Sequence, residues 1–119
     1  MATFTKKKLS GSTDGLAIKV TGTSTAATVT VHTAVASTTA GVFDEIWLYA
    51  NNTSTSAVKL TLEWGTATAA DGNIELTIAA ESGLVLVVPG LILQNTKVVK
   101  AFAATADVIL LTGYVNQIS

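Results

Sequence analysis

The sequence predicts an all-β fold, an antiparallel β-sandwich of about eight strands with a jelly-roll-like arrangement. Three observations support this prediction. Apolar and polar residues alternate in many short segments, which is the period-two pattern of strands. Turn-forming Gly, Asn and Asp residues separate these segments. No segment has the 3.6-residue apolar period of an amphipathic helix. Separately, the length of 119 residues suits one domain.

The strand predicted at residues 57–64 has one apolar face and one polar face. Its apolar residues recur at every second position and therefore point to the same side of a sheet. They are Val58, Leu60, Leu62 and Trp64. This pattern is typical of a sheet that covers a core on one side and meets water on the other.

The preceding strand, predicted at residues 43–50, is apolar on both faces. One face carries Ile46 and Leu48, and the opposite face carries Phe43, Trp47 and Tyr49. A strand of this kind needs cover on both sides. In a small all-β domain the second cover is often another subunit.

Six further strands complete the predicted sandwich. They are placed at residues 16–20, 25–35, 73–80, 84–88, 97–104 and 107–117, with the single proline, Pro89, between strands. Two of them, 84–88 and 107–117, are also apolar on both faces. We therefore predict an oligomer interface on the spare apolar faces of three strands. Its predicted residues are Phe43, Trp47, Tyr49, Val85, Val87, Ile109, Leu111 and Val115.

The composition favours a protein that packs against copies of itself or against a partner. Only 13% of the residues are charged, compared with roughly 25% in average soluble domains. The net charge is −1 and arginine is absent. Because arginine is the usual reader of phosphate and guanine, we expect no nucleic-acid partner. No run of about 20 apolar residues predicts a membrane span, and the lack of cysteine excludes disulfides.

Residues 1–15 are predicted to form a flexible N-terminal arm, and residues 16–119 a single sandwich domain. The arm contains Lys6, Lys7 and Lys8, followed by a segment rich in Ser and Gly. The three lysines are candidate contacts with an acidic partner surface. Because no apolar segment follows them, we expect no secretory signal peptide.

No residue pattern predicts catalysis, a cofactor or a metal site. His32 lies on the polar side of its strand with no second ligand nearby, which is typical of a surface or interface histidine. Asp44 and Glu45 are adjacent in a strand and point to opposite faces, so they cannot act as a pair. Asp71 and Asn73 provide too few oxygen ligands for a calcium site. We therefore expect that the protein is not an enzyme.

Residues 77–93 resemble part of the small jelly-roll virion proteins of tailed bacteriophages. In these proteins a strand ends in a small-residue turn, an apolar strand follows, and a Gly-Leu-x-Leu step leads to two strands like 98–104 and 108–115. Residues 46–62 resemble the middle of the same proteins. The resemblance covers roughly residues 25–117 and implies a jelly-roll fold. It transfers no site residues, because the family has no catalytic motif.

The resemblance implies a structural virion protein of the capsid decoration (cement) type. Such a protein binds the outer capsid lattice as a homo-oligomer, commonly a homotrimer, and stabilises it. Its expected partners are itself and the major capsid protein, with Lys6, Lys7 and Lys8 as candidate capsid contacts. Its expected location is the capsid surface of the virion, after synthesis in the host cytoplasm.

Two alternatives remain open from the sequence. One is a carbohydrate- or receptor-binding jelly roll, in which Trp47, Tyr49 and Trp64 form a platform that stacks on sugars. The other is a neck or tail accessory subunit of the virion with a similar fold. The position of Trp64 on the apolar face of its strand favours a core residue over a sugar contact.

Overall fold

A computed structural model describes residues 2–119 as nine strands and one short 3₁₀ helix, Thr25–Ala27. The strands are β1 (Phe4–Lys8), β2 (Ile18–Lys19), β3 (Val29–Thr33), β4 (Phe43–Asn52), β5 (Val58–Trp64), β6 (Asn73–Ile78), β7 (Val85–Leu93), β8 (Val98–Ala103) and β9 (Ile109–Ile118). Within residues 2–119, no helix combines the length and the hydropathy that crossing a membrane requires.

The strands form two antiparallel sheets. Sheet A has the order β1-β9-β4-β7, with β2 also paired to β9, and sheet B has the order β3-β8-β5-β6. The pairing is nested, because β2 joins β9, β3 joins β8, β4 joins β7 and β5 joins β6. A chain that folds back on itself in this way forms a jelly roll. The predicted all-β sandwich is confirmed.

The core lies between the two sheets and follows the predicted alternation. In β4 the side chains of Ile46 and Leu48 are buried, whereas Trp47 and Tyr49 on the opposite face are only half-buried. In β5 the inward residues include Leu60 and Leu62, which are almost fully buried. The apolar faces predicted for these two strands are therefore confirmed. The prediction that the opposite face of β5 meets water is wrong at two positions, because Thr61 and Glu63 are also buried.

The N-terminal segment differs from the predicted flexible arm. Residues 4–8 form β1, which pairs with β9 along five residues, and Thr3 exchanges two backbone hydrogen bonds with Ser119. Leu9, which follows β1, is buried in the core. The segment is thus an edge strand of sheet A, anchored at its end by one apolar side chain.

Pro89 lies inside β7 and not between two strands as predicted. The residues before and after it continue one strand of nine residues. β7 is at the edge of sheet A, where a residue without an N–H can be accommodated on the open side. The register with β4 shifts at this point, and Gly90 has φ +77°. The Pro-Gly pair is therefore a bulge within a strand.

A second bulge changes the position of His32. The register between β3 and β8 shifts between Thr30 and His32, so Val31 is an extra residue. As a result Val31 and His32 are both buried, although they are neighbours in the chain. The prediction of a surface or interface histidine is wrong.

Candidate interaction surface

The outer face of sheet A, which points away from the core, is largely apolar. In antiparallel sheets paired residues point to the same side, so the register of β1, β9, β4 and β7 defines this face. Its apolar members are Phe4, Phe43, Trp47, Tyr49, Leu86, Pro89, Ile92, Leu110, Tyr114 and Ile118. Phe4 is 72% exposed and Ile92 is 55% exposed. No other segment among residues 2–119 shields these two side chains from solvent.

A row of four residues, one from each strand, crosses the middle of this face: Lys6, Tyr114, Trp47 and Gly90. Lys6 Nζ lies 4.3 Å from the centre of the Tyr114 ring, which is a cation–π distance. The Tyr114 and Trp47 rings are stacked, with centroids 6.2 Å apart and an angle of 13° between their planes. The indole of Trp47 also approaches Gly90, where a Cβ atom would lie 2.8 Å from Cζ2. Because Gly90 has no side chain, the Trp47 indole can occupy this space.

Glu45 provides the main carboxylate of this face. Its Oε1 accepts hydrogen bonds from Trp47 Nε1 at 2.7 Å and from Asn116 Nδ2 at 3.2 Å. These two donors favour the ionised form and lower the pKa of Glu45, the Trp47 bond having the larger effect. The carboxylate therefore holds the indole in its orientation. Its strand neighbour Asp44 is buried on the core side, so the two carboxylates point to opposite faces, as predicted.

The predicted interface residues come from three strands, of which β4 and β7 are described first. Phe43, Trp47 and Tyr49 lie on the outer face of sheet A and are half-buried. Val85 and Val87 are half-buried in β7: Val85 pairs with the inward residue Ala50, and Val87 packs against the core. The prediction that these two valines lie on an outer surface is therefore wrong.

The third predicted strand was assigned the wrong face. Ile109, Leu111 and Val115 are fully buried in the core, so the prediction that they lie on an outer surface is wrong. The outward residues of β9 include Leu110 and Tyr114. Both faces of this strand are apolar, so alternation alone does not indicate which one points inward.

The three lysines lie in β1, at the edge of sheet A. Lys6 covers Tyr114, Lys7 Nζ donates to Gln117 Oε1 at 2.9 Å, and Lys8 Nζ donates to the carbonyl of Ser12 at 3.0 Å. All three side chains remain exposed. Positive charge on an edge strand also opposes open-ended pairing with other strands.

The three aromatic residues of the carbohydrate alternative do not form one platform. Trp47 and Tyr49 lie on the outer face of sheet A, whereas Trp64 lies in sheet B and packs against the core. A sugar cannot stack on all three rings. The aromatic neighbour of Trp47 is Tyr114, which is not among the predicted interface residues.

A polar cluster joins the exposed Ser10 to the buried side chains of His32 and Asp44. The His32 Nε2 atom lies 2.7 Å from Asp44 Oδ2, and His32 Nδ1 accepts the backbone N–H of Ser10 at 3.0 Å. The Ser10 hydroxyl accepts the N–H of Thr33 at 2.7 Å. Although these residue types occur in hydrolases, the imidazole contacts the serine backbone and not its hydroxyl, so it cannot act as the base of a triad.

Within residues 2–119, no group of three or more His, Asp or Glu side chains is placed to hold a metal ion. Asp71 and Asn73 lie at the start of β6, and Asn73 N donates to the carbonyl of Ala70 at 3.1 Å. This contact is part of a turn and does not indicate a calcium site.

Comparisons with protein-family models, with characterised proteins and with solved structures give no match to this chain. The assignment of a jelly-roll sandwich therefore rests on the strand order and register described above. The outer face of sheet A is the surface with the clearest potential to bind another protein, because its exposed side chains are large and apolar.

Proposed function

We propose that this protein is a structural virion subunit, a capsid decoration protein that assembles as a homotrimer and stabilises an outer capsid lattice. The observation that supports this proposal is the outer face of sheet A. Large contiguous apolar surfaces are uncommon on monomers and mark sites of protein association. This face runs across all four strands of the sheet path, from Phe4 on β1 to Ile92 on β7.

The arrangement of polar groups on this face also suits association with copies of the same chain. The Glu45 carboxylate is hydrogen-bonded to Trp47 and Asn116, so burial would not leave it without donors. Lys6 is held over Tyr114. A second copy could therefore cover the row of aromatic residues without isolating a charge.

The edges of sheet A favour closed assembly over open-ended aggregation. β1 carries three lysines, and β7 contains Pro89 with a bulge. Both features oppose the addition of further strands at a sheet edge. Contact through the side chains of the outer face, and not through backbone groups at the sheet edges, is then the favoured mode of self-association. In the proposal, Lys6, Lys7 and Lys8 remain candidate contacts with the capsid.

The proposal is tested first by the solution mass of the purified chain, measured by light scattering on a sizing column. The expected result is a trimer of the 12.2 kDa subunit. The second step is cosedimentation with tailed-phage capsids that lack their decoration protein, and the expected result is saturable binding that raises the thermal stability of the capsid. A monomer that binds no capsid would refute the proposal. A trimer that binds isolated tails instead would support the neck or tail alternative.

A further inference from the structure

A buried carboxylate lies on the side of the molecule opposite to the outer face of sheet A. Glu63 is in β5, directly across from Lys100 in β8 and Asn73 in β6. The sequence pattern places it on the polar face of its strand, yet its exposure is only 2%. An ionised carboxylate in such a position needs hydrogen-bond donors.

Two segments of the chain cover Glu63. The 3₁₀ helix Thr25–Ala27 approaches from one side, and the Thr25 hydroxyl donates to Glu63 Oε2. The loop of residues 65–72 approaches from the other side, and it is closed by a bond from Trp64 N to the carbonyl of Gly72 at 2.7 Å. The loop is tight at Gly72, where a Cβ atom would lie 2.2 Å from the carbonyl oxygen of Thr66.

The second oxygen of Glu63 is free to accept a hydrogen bond. Oε2 is bonded to Thr25, but Oε1 has no hydrogen-bond partner in residues 2–119 and is not sealed from solvent. The nearest cation by register, Lys100, forms no ion pair with it. The carboxylate is therefore fixed by one hydroxyl, and its other oxygen has no hydrogen-bond donor within residues 2–119.

Glu63 lines two adjoining cavities, and Ala67 also lines both. One has a volume of about 350 Å³ and is also lined by Thr25, Asn73 and Phe102. The other has a volume of about 240 Å³ and is also lined by Thr66, Thr96, Lys97 and Lys100. The first combines an aromatic ring with polar groups, and the second combines hydroxyls with two positive charges.

We propose that these cavities bind a carbohydrate whose sugar residue occupies the Glu63 cavity and whose acidic substituent lies beside Lys97 and Lys100. A carboxylate oxygen accepts hydrogen bonds from sugar hydroxyls, and an amide such as that of Asn73 donates and accepts. The Phe102 ring offers an apolar surface for the C–H face of a sugar. Lysine ammonium groups favour a carboxylate or sulfate on the ligand.

A cation is a poorer occupant of this site. Calcium needs six to eight oxygen ligands, several of them carboxylates, and Glu63 is the sole acidic residue that lines either cavity. The lysines would also repel a metal ion. The mixture of one carboxylate, hydroxyls, an amide and an aromatic ring fits a hydroxyl-rich ligand better.

This inference goes beyond the proposed structural role and does not depend on it. The cavities lie on sheet B, whereas the proposed assembly uses sheet A. A trimer formed through sheet A would leave the Glu63 site open to solvent. A failed capsid assay would leave the carbohydrate prediction standing, and a failed carbohydrate assay would leave the assembly proposal standing.

The test is a titration of the isotope-labelled full chain, followed by two-dimensional NMR, with galacturonic acid, digalacturonate and galactose as probes. We expect saturable shifts in the backbone signals of Thr25, Glu63 and Phe102, with tighter binding of the acidic probes. We expect Glu63→Gln to weaken binding by about tenfold or more, because a charge-assisted hydrogen bond is lost. The control Glu75→Gln, on the neighbouring strand and outside both cavities, should bind like the wild type.

Two further measurements keep the test independent of folding. Phe102→Leu preserves an apolar side chain on β8 and should weaken binding several-fold while Glu63 remains in place. The preference for acidic probes should decrease in high salt, because screening weakens the contribution of Lys97 and Lys100. The proposal is overturned if no probe produces saturable shifts at these residues, or if Glu63→Gln and Phe102→Leu both fold and bind as the wild type does.

Discussion

His32 and Asp44 form a buried hydrogen bond that joins the two sheets, with 2.7 Å between Nε2 and Oδ2. His32 lies in β3 of sheet B, and Asp44 lies in β4 of sheet A. Because His32 Nδ1 accepts the backbone N–H of Ser10, the ring proton is on Nε2 and is donated to Asp44. The pair thus connects both sheets and the segment that follows β1.

We predict that Asp44→Ala destabilises the protein strongly. Besides His32, the Asp44 carboxylate accepts bonds from Val35 N at 3.2 Å and from Gln117 Nε2 at 3.0 Å. The substitution leaves buried donors unpaired, and we expect the free energy of unfolding to fall by about 3 kcal/mol or more. Urea denaturation measures this change. The exposed Asp71→Ala control should stay within about 0.5 kcal/mol of the wild type, and equal stability of both variants would contradict the prediction.

Gly90→Ala is predicted to destabilise the protein more than Gly83→Ala. Both glycines have positive φ, +77° and +66°, so alanine is strained at each by roughly 1–2 kcal/mol. Only at Gly90 would the new Cβ atom meet Trp47, at 2.8 Å from Cζ2, whereas nothing lies within 4 Å at Gly83. We expect an additional cost of about 1–3 kcal/mol at Gly90 and a change in tryptophan fluorescence for that variant alone. Equal losses of stability for the two variants would show that the position of the Trp47 indole does not require a glycine at residue 90.

Glu45 and Glu75 are predicted to respond differently to salt. The pKa of Glu45 is lowered by the neutral donors Trp47 and Asn116, and the pKa of Glu75 is lowered by the Lys59 ammonium. A charge-based shift is screened by salt, whereas a shift caused by neutral donors persists. In NMR titrations of the side-chain carboxyls, about 1 M NaCl should raise the pKa of Glu75 towards its ordinary value and leave that of Glu45 low. The reverse result would contradict the assignment of these causes.

The lowered pKa of Glu45 also predicts the direction of its effect on stability. The folded state favours the ionised form, so the stabilisation is complete above the ordinary pKa of 4.5. It is lost as the pH falls through the lower folded-state pKa. We therefore expect Glu45→Gln to reduce the loss of stability between pH 5 and more acidic conditions, measured by urea denaturation at each pH. A profile identical to that of the wild type would refute this.

In β5, where the opposite face is polar, the sequence was sufficient to predict which residues point inward. The alternation in β5 correctly placed Leu60 and Leu62 in the core. In β9 both faces are apolar, so the pattern could not distinguish Leu111, which is buried, from Tyr114, which lies on the outer face. The direction of such a strand is determined by its partners in the sheet and not by its own residues.

Bulges and long-range pairing account for the other differences. An extra residue at Val31 reverses the alternation and buries His32, and no local signal in a Val-His-Thr sequence indicates it. The pairing of β1 with β9 depends on contacts between the two ends of the chain. The Glu63 cavities depend on covering segments that come from separate loops, so strand periodicity placed Glu63 on a solvated face.

Ile92→Asp is predicted to disrupt self-association without unfolding the subunit. Ile92 lies on the outer face of sheet A opposite Glu45 and is 55% exposed, so an aspartate there remains solvated in the monomer. In an oligomer formed through this face, the same carboxylate would be desolvated beside Glu45, which disfavours association. Light scattering should report a mass close to 12.2 kDa for this variant, with circular dichroism like that of the wild type.

Thr77→Asp is the matched control, since Thr77 is exposed on β6 of sheet B. It should retain the mass of the wild type. Trp47→Asp should dissociate the oligomer as well, but it also removes the indole that packs between Tyr114 and Gly90 and donates to Glu45, so a loss of folding is expected in part of the sample. If Ile92→Asp and Trp47→Asp are both folded and have the same oligomeric mass as the wild type, the outer face of sheet A is not the interface.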